Sequence, residues 1–116
     1  MNVGIYIYDQ AEVLDFSGPF EVFSTASRIC TSGEPFNVFL VSKTGDTVKA
    51  RGGYSVNPFY GFHNHPEIDV LIVAGGVHTE EISKPRVLDW IAETAEKAKI
   101  VASVCTEHFY WQKLAY

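Results

Sequence analysis

Cys105 is the residue of this 116-residue chain best suited to nucleophilic chemistry. It follows the apolar, largely β-branched run from Ile100 to Val104 and precedes Thr106, where we expect a sharp turn from a strand into a helix. A thiolate at a helix N-terminus is stabilised by the helix dipole and by free backbone N–H groups. The position predicts a nucleophilic cysteine; the alternative is a buried, unreactive cysteine of the core.

Four other residues carry groups suited to acid–base or oxyanion chemistry. Asp15 fits either a general acid–base group or the N-cap of a helix. Glu21 either points at Cys105 and tunes the thiol pKa, or lies on an exposed helix face. The backbone N–H groups of Gly75 and Gly76 suit a developing oxyanion, although a tight turn with positive φ also explains two glycines.

The histidines and cysteines do not form a metal-binding pattern. His63, His65 and His78 fall in predicted loops, and their spacing is weak for zinc. Cys30 and Cys105 belong to no disulfide framework, so reduced thiols are expected. We therefore predict no metal and no cofactor.

Composition limits the class of protein. Hydrophobic residues make up 47% and charged residues 20% of the chain, which is typical of one globular domain spanning residues 1–116. The formal net charge is −5 and no block of Lys or Arg occurs, which argues against a nucleic-acid-binding face. No apolar run approaches the roughly 20 residues of a membrane span, and no secretory signal is recognisable. A cytoplasmic location is expected.

Hydrophobic periodicity predicts alternating strands and helices. Residues 15–29 read as a helix, with Pro19 in its first turn and Phe20, Phe23, Ala26 and Ile29 facing the core. A second helix is predicted over residues 85–98. Core strands are predicted over residues 3–8, 36–41, 68–73 and 100–104, with short β segments over 47–50 and 54–56.

This alternation indicates right-handed βαβ units and a parallel sheet between helices. Sites of such sheets lie beyond the carboxyl ends of the strands. The segment from Asp15 to Glu21 follows the first core strand, Gly75 and Gly76 follow the third, and Cys105 follows the fourth. We therefore expect these groups to converge.

Three segments resemble signature segments of the DJ-1/PfpI (ThiJ) superfamily. They are Leu-Asp-Phe-Ser-Gly-Pro-Phe-Glu-Val-Phe (residues 14–23), Asp-Val-Leu-Ile-Val-Ala-Gly-Gly (69–76) and Ala-Ser-Val-Cys-Thr (102–106). The resemblance extends from Met1 to about Thr106. It is strongest to the branch that contains isonitrile hydratases and the amino-terminal domains of AraC-type transcriptional regulators.

The resemblance implies a flavodoxin-like sandwich, similar to class I glutamine amidotransferases and usually dimeric. It makes Cys105 the nucleophile, and it makes Gly76 part of the oxyanion site together with the N–H of Cys105 itself or of a neighbour. Glu21 matches the acidic partner of the cysteine in much of the superfamily. Asp15 and Thr106 match residues that the isonitrile hydratase branch uses beside its cysteine, where water adds to the isonitrile carbon to give an N-substituted formamide.

The sequence departs from the family pattern after Thr106, where Glu107 and His108 replace the usual Gly-Ala. Family members also continue further, with additional strands and helices. One G restored before the Glu107 codon gives a frame that can read Gly-Ala-Phe-Leu-Leu-Ala-Lys-Ala-Gly-Leu, in which Leu-Leu-Ala is forced by the codons. We hypothesise a frameshifted, truncated product of a longer gene; the downstream DNA of the locus tests this.

The apolar tail suggests self-association. Its larger members are Phe109, Tyr110, Trp111, Leu114 and Tyr116. They are expected to form a surrogate helix that covers the last strands or contacts a second copy.

Three functions remain open from the sequence. The first is a cysteine-dependent hydratase or hydrolase acting on a small carbon–nitrogen substrate, impaired by truncation. The second is a small-molecule-sensing domain without its DNA-binding part, and the third is a folded remnant without catalysis. The expected partners are a small-molecule substrate or ligand and further copies of the chain.

Overall fold

A computed structural model describes residues 1–30, 33, 35–75 and 84–104. The elements, in chain order, are β1 (Asn2–Tyr6), α1 (Val13–Ile29), β2 (Asn37–Val41), β3 (Val48–Lys49), β4 (Ser55–Val56), β5 (Val70–Ala74), α2 (Pro85–Lys97) and β6 (Ile100–Val104). A short 3₁₀ turn, Arg51–Gly53, joins β3 to β4.

The described part of the chain forms a four-stranded parallel sheet with the order β2–β1–β5–β6. This is the start of the flavodoxin-like order 2-1-3-4-5, in which ligands bind where the strand order reverses. Here the reversal lies between β1 and β5. The predicted α/β fold is thus confirmed, and the carboxyl ends of β1 and β5 mark the expected site.

The central strands are buried because helices cover both faces of a parallel sheet. Val3 and Ile5 of β1 and Leu71 of β5 are fully buried. By contrast, β6 is only half-buried along its length, with Ile100 at 53% exposure. Within the described residues, β6 pairs with β5 and lies at the edge of the sheet.

Helix α1 begins two residues earlier than the sequence pattern predicted. Glu12 is the N-cap, so Asp15 lies inside the first turn and Pro19 lies in the second. The first-turn placement predicted for Pro19 is therefore wrong. Since proline has no N–H, Pro19 cannot donate the usual helical hydrogen bond to the carbonyl of Asp15.

The buried face of α1 also differs from the prediction at its C-terminal end. Ile29 is 74% exposed, whereas Ser27 is buried. The Ser27 hydroxyl donates to the carbonyl oxygen of Phe36 (3.0 Å) and accepts from its N–H (3.2 Å). These two hydrogen bonds allow a polar residue to take the core position, because a buried hydroxyl must be paired.

Helix α2 packs on the sheet through Val87, Trp90 and Ile91. The Trp90 ring stacks on Phe62, with centroids 4.4 Å apart and planes 8° apart, and lies 5.5 Å from the Tyr6 ring. None of the described helices is long and apolar enough to cross a membrane.

Gly4 provides a test of how tightly the sheet packs. A Cβ at Gly4 would lie 2.6 Å from Cδ1 of Ile68, whereas a Cβ at Gly18 of α1 would meet no atom within 4 Å. We expect Gly4→Ala to lower the free energy of unfolding by about 1–3 kcal/mol because it overpacks the core. The matched variant Gly18→Ala should be neutral or stabilising, by up to about 1 kcal/mol. Equal urea midpoints for the two variants would contradict this packing.

Candidate functional site

The carboxyl ends of β1 and β5 are joined by two long-range hydrogen bonds. The Glu12 N–H donates to the carbonyl oxygen of Gly75 over 2.9 Å. The buried Tyr8 hydroxyl donates to the carbonyl oxygen of Ala74, also over 2.9 Å. These bonds fix the start of α1 against the end of β5.

Asp15 is half-buried in the first turn of α1. Its own N–H donates to the carbonyl oxygen of Glu12 over 3.1 Å, so its backbone is tied to the residue that bonds Gly75. A carboxylate in this turn is favoured by the positive end of the helix dipole. The N-cap is Glu12, so the capping alternative for Asp15 does not apply.

Glu21 lies on the exposed face of the same helix. Its side chain is 71% exposed and lies 3.8 Å from the Arg28 guanidinium. The Thr25 hydroxyl also donates to Oε1 of Glu21 over 3.0 Å. The partners of Glu21 within the described residues thus belong to α1 itself, which matches the exposed-face alternative; a role beside Cys105 stays a prediction.

Gly75 is buried directly after β5, and its carbonyl oxygen is occupied by the Glu12 N–H. In the register of β5 and β6, Ala74 pairs with Val104. Val104 is the residue before Cys105 in the chain. Cys105, Thr106 and Gly76 lie outside the described residues, and their assigned roles stay predictions.

The turn between β1 and α1 is held by the β3–β4 hairpin. Gln10 has φ = 73°, a left-handed conformation that non-glycine residues rarely adopt. Its N–H donates to the carbonyl oxygen of Lys49 (2.8 Å), and the Lys49 N–H donates to Oδ1 of Asp9 (3.0 Å). A further bond joins the Arg51 N–H to the Ala11 carbonyl oxygen (2.9 Å). A strained backbone conformation of this kind persists where several surrounding contacts hold it in place.

Neither the Tyr8 bond nor the hairpin contacts were predicted. Tyr8 lies in an apolar run that reads as core, and its hydroxyl was the one signal that a polar partner was needed. The contacts of Gln10 and Lys49 join segments that are far apart in the sequence. Propensity and periodicity carry no information on such docking.

Tyr8→Phe tests the bond between β1 and β5. Removing the hydroxyl leaves a buried carbonyl without this donor, so we expect the free energy of unfolding to fall by about 1–3 kcal/mol. Tyr54→Phe is the matched control, since Tyr54 is 60% exposed and its change should stay within about 0.5 kcal/mol. Urea denaturation measures both; equal losses would contradict the structural role of Tyr8.

The described residues contain no group of three or more His, Cys, Asp or Glu side chains placed to hold a metal ion. His65 is instead half-buried beside α2. Its Nε2 accepts from Trp90 Nε1 over 3.0 Å, and Nδ1 lies 2.7 Å from the carbonyl oxygen of Pro66. Because Nε2 is the acceptor, Nδ1 is assigned as the ring donor to the Pro66 carbonyl. His78 lies outside the described residues.

The family model described as the DJ-1/PfpI family matches residues 1–110. The chain belongs to this family. An uncharacterized protein from the cpoL 5′ region of Streptomyces lividans is 36% identical over 109 residues, covering 93% of this chain and 75% of that protein. Isonitrile hydratase from Pseudomonas putida is 29% identical over 107 residues, covering 91% of this chain and 44% of the enzyme. The chain therefore spans less than half the length of that enzyme.

Solved structures share the fold. A THiJ/PfpI family protein from Pseudomonas syringae superposes with a TM-score of 0.81 at 22% identity, covering 97% of this chain and 45% of that chain. An AraC family transcriptional regulator from Pseudomonas putida superposes with a TM-score of 0.76 at 17% identity, covering 97% and 69%. At these identities the likeness establishes the fold alone.

Proposed function

We propose that the chain carries the nucleophile and acid–base half of a cysteine-dependent site that hydrates small carbon–nitrogen compounds of the isonitrile type. The observation that supports it best is the bond between Glu12 N–H and Gly75 O. It brings the first turn of α1, with Asp15, to the end of β5, next to the strand that leads to Cys105. The similarity to isonitrile hydratase gives the substrate class.

The proposed chemistry needs one nucleophile and one proton donor. The Cys105 thiolate adds to the terminal isonitrile carbon, and Asp15 supplies the proton that this carbon gains, forming a thioimidate. Water then adds to the same carbon; one of its protons goes to the nitrogen and the other returns to Asp15. The carbon–sulfur bond breaks, which frees the Cys105 thiolate and releases the N-substituted formamide. Thr106 orients the substrate beside the thiol.

Glycine N–H groups have a defined task in the second step. When water adds, its oxygen becomes the formamide oxygen, and negative charge on that oxygen is stabilised by preorganised N–H donors. In this proposal the donors are the backbone N–H groups of Gly75 and Gly76. The Gly75 carbonyl is already bonded to Glu12, which helps to hold that peptide in place.

Formamide production from a small isonitrile tests the proposal. Wild type should form product above the uncatalysed rate, and Cys105→Ala should reduce the rate to background. Cys30→Ala is the matched control, since it removes the half-buried cysteine at the end of α1. Equal rates for wild type and Cys105→Ala would exclude cysteine catalysis by this chain.

A second candidate is small-molecule sensing without turnover. An open cavity of about 170 Å³ lies at the carboxyl ends of β1 and β2, where Tyr8, Ser42 and Lys43 contribute to its lining. Saturable binding of the small isonitrile itself to both wild type and Cys105→Ala, with no formamide from either, would favour the sensor.

A further inference from the structure

We infer that a cationic cavity between the end of β2 and the start of α2 binds the phosphate or carboxylate group of a small organic anion. The cavity has a volume of about 510 Å³. Its lining residues are Lys43, Thr44, Gly61, Phe62, His63, Asn64 and Arg86. This inference goes beyond the proposed function, because it uses none of the groups assigned to the cysteine site.

The charged side chains that line this cavity are opposite in sign to the net charge of the protein. The chain has a net charge of −5, yet the ionisable side chains among the described residues that line the cavity are Lys43, His63 and Arg86, and none of these is a carboxylate. The ion pairs of the described residues join Arg28 to Glu21 and Arg51 to Glu12. Lys43 and Arg86 therefore have no acidic partner in the described part of the chain.

Helix α2 adds to this imbalance. Its first turn contains no acidic residue, its N-cap is Lys84, and Arg86 follows within the first turn. Cations at this end of a helix are repelled by the positive end of the helix dipole, which attracts anions. A bound oxyanion would offset this repulsion at Arg86.

The hydrogen-bond donors are already oriented. The Arg86 guanidinium donates to Nε2 of His63, and its remaining N–H groups are available for a bidentate contact. Oδ1 of Asn64 accepts from the Gly61 N–H over 2.7 Å, which leaves Nδ2 of Asn64 as a donor. Together with the Lys43 ammonium, these groups match the several acceptor oxygens of a phosphate or carboxylate.

The volume and the lining indicate an organic anion. A cavity of about 510 Å³ falls in the range of small-molecule sites, which is about 300–1,000 Å³. Phe62, which is 8% exposed, contributes an apolar ring to the lining. The Phe62 ring is held in its orientation by the stack on Trp90. An apolar body attached to the oxyanion would contact this ring.

Titration calorimetry at constant ionic strength in chloride buffer tests the inference. The probes are phenyl phosphate, benzoate and inorganic phosphate, and the variants are Lys43→Gln and Arg86→Gln. The matched control is Lys99→Gln, which removes the same charge from an exposed lysine outside the cavity lining. We expect phenyl phosphate or benzoate to bind the wild type more tightly than inorganic phosphate does.

Each cavity variant should raise the Kd about tenfold or more, because it removes a charge-assisted hydrogen bond, while Lys99→Gln stays within about twofold. Tighter binding of phenyl phosphate than of benzoate would identify the ligand class as phosphate esters, and the reverse order would identify it as carboxylates. Equal affinity in all four proteins, or no saturable binding by the wild type, would overturn the inference. Cys105→Ala should bind as the wild type does, so this result is separate from the fate of the cysteine proposal.

Discussion

Asp15→Asn is expected to lower kcat for isonitrile hydration by about 10²–10⁴-fold, the range that general acid–base catalysis contributes. Asparagine keeps the shape of the side chain but cannot deliver the proton that the isonitrile carbon must gain. Asp15 lies in the first turn of α1, whose N-cap is bonded to Gly75. Initial rates of formamide production at saturating isonitrile measure the effect.

Glu21→Gln makes the same chemical change on the same helix, and it tests the role beside Cys105 that the family resemblance implies for Glu21. The Glu21 side chain is 71% exposed and paired with Arg28. Because exposed ion pairs contribute little free energy, we expect the kcat of Glu21→Gln to stay within about twofold of the wild type. An equal loss in both variants would show that charge on α1, rather than a positioned proton donor, supports turnover. No loss in Asp15→Asn would remove Asp15 from the mechanism.

Trp90→Ala is expected to lower the free energy of unfolding by about 3–5 kcal/mol, the range for aromatic-to-alanine changes in a core. Trp90 is 7% exposed, stacks on Phe62 and donates through Nε1 to His65 over 3.0 Å. The change therefore leaves a cavity and removes the donor to a half-buried imidazole. Because domains of this kind have only about 5–15 kcal/mol of stability, such a variant is close to unfolding.

Urea denaturation followed by circular dichroism measures this loss, and Tyr54→Ala is the control. Tyr54 is also aromatic but 60% exposed, so its removal should cost no more than about 0.5 kcal/mol. Similar losses in the two variants would mean that Trp90 does not anchor α2 to the sheet.

The elements that could be predicted are those whose own residues determine them. The alternation of apolar runs and amphipathic segments placed β6 at residues 100–104 and α2 within one residue of its observed end. The parallel sheet follows from that alternation, because each crossover helix must cover a face. The sequence pattern places the start of α1 two residues too late, because it puts Pro19 in the first turn, whereas Pro19 lies in the second turn.

The contacts that position the candidate site could not be predicted, because they join distant segments. Nothing in the local pattern around Gln10 indicates that Lys49 would hold its backbone in the left-handed region. The cationic cavity could not be predicted for the same reason. Lys43 and Arg86 line one cavity only because the end of β2 and the start of α2 lie close together in the fold. The role of Cys105 is predicted from its place after an apolar run, and it stays a prediction because Cys105 lies outside the described residues.

The central claim is that the thiol of Cys105, at the carboxyl end of the sheet, has a lowered pKa. The acidity of this thiol tests the claim most directly. The measurement is the rate of alkylation against pH in the Cys30→Ala variant, where Cys105 is the remaining thiol. The same chain unfolded in urea supplies the reference, near the ordinary cysteine pKa of about 8.5. We predict a pKa for folded Cys105 well below that reference; coincident profiles for the folded and unfolded chain would contradict the account.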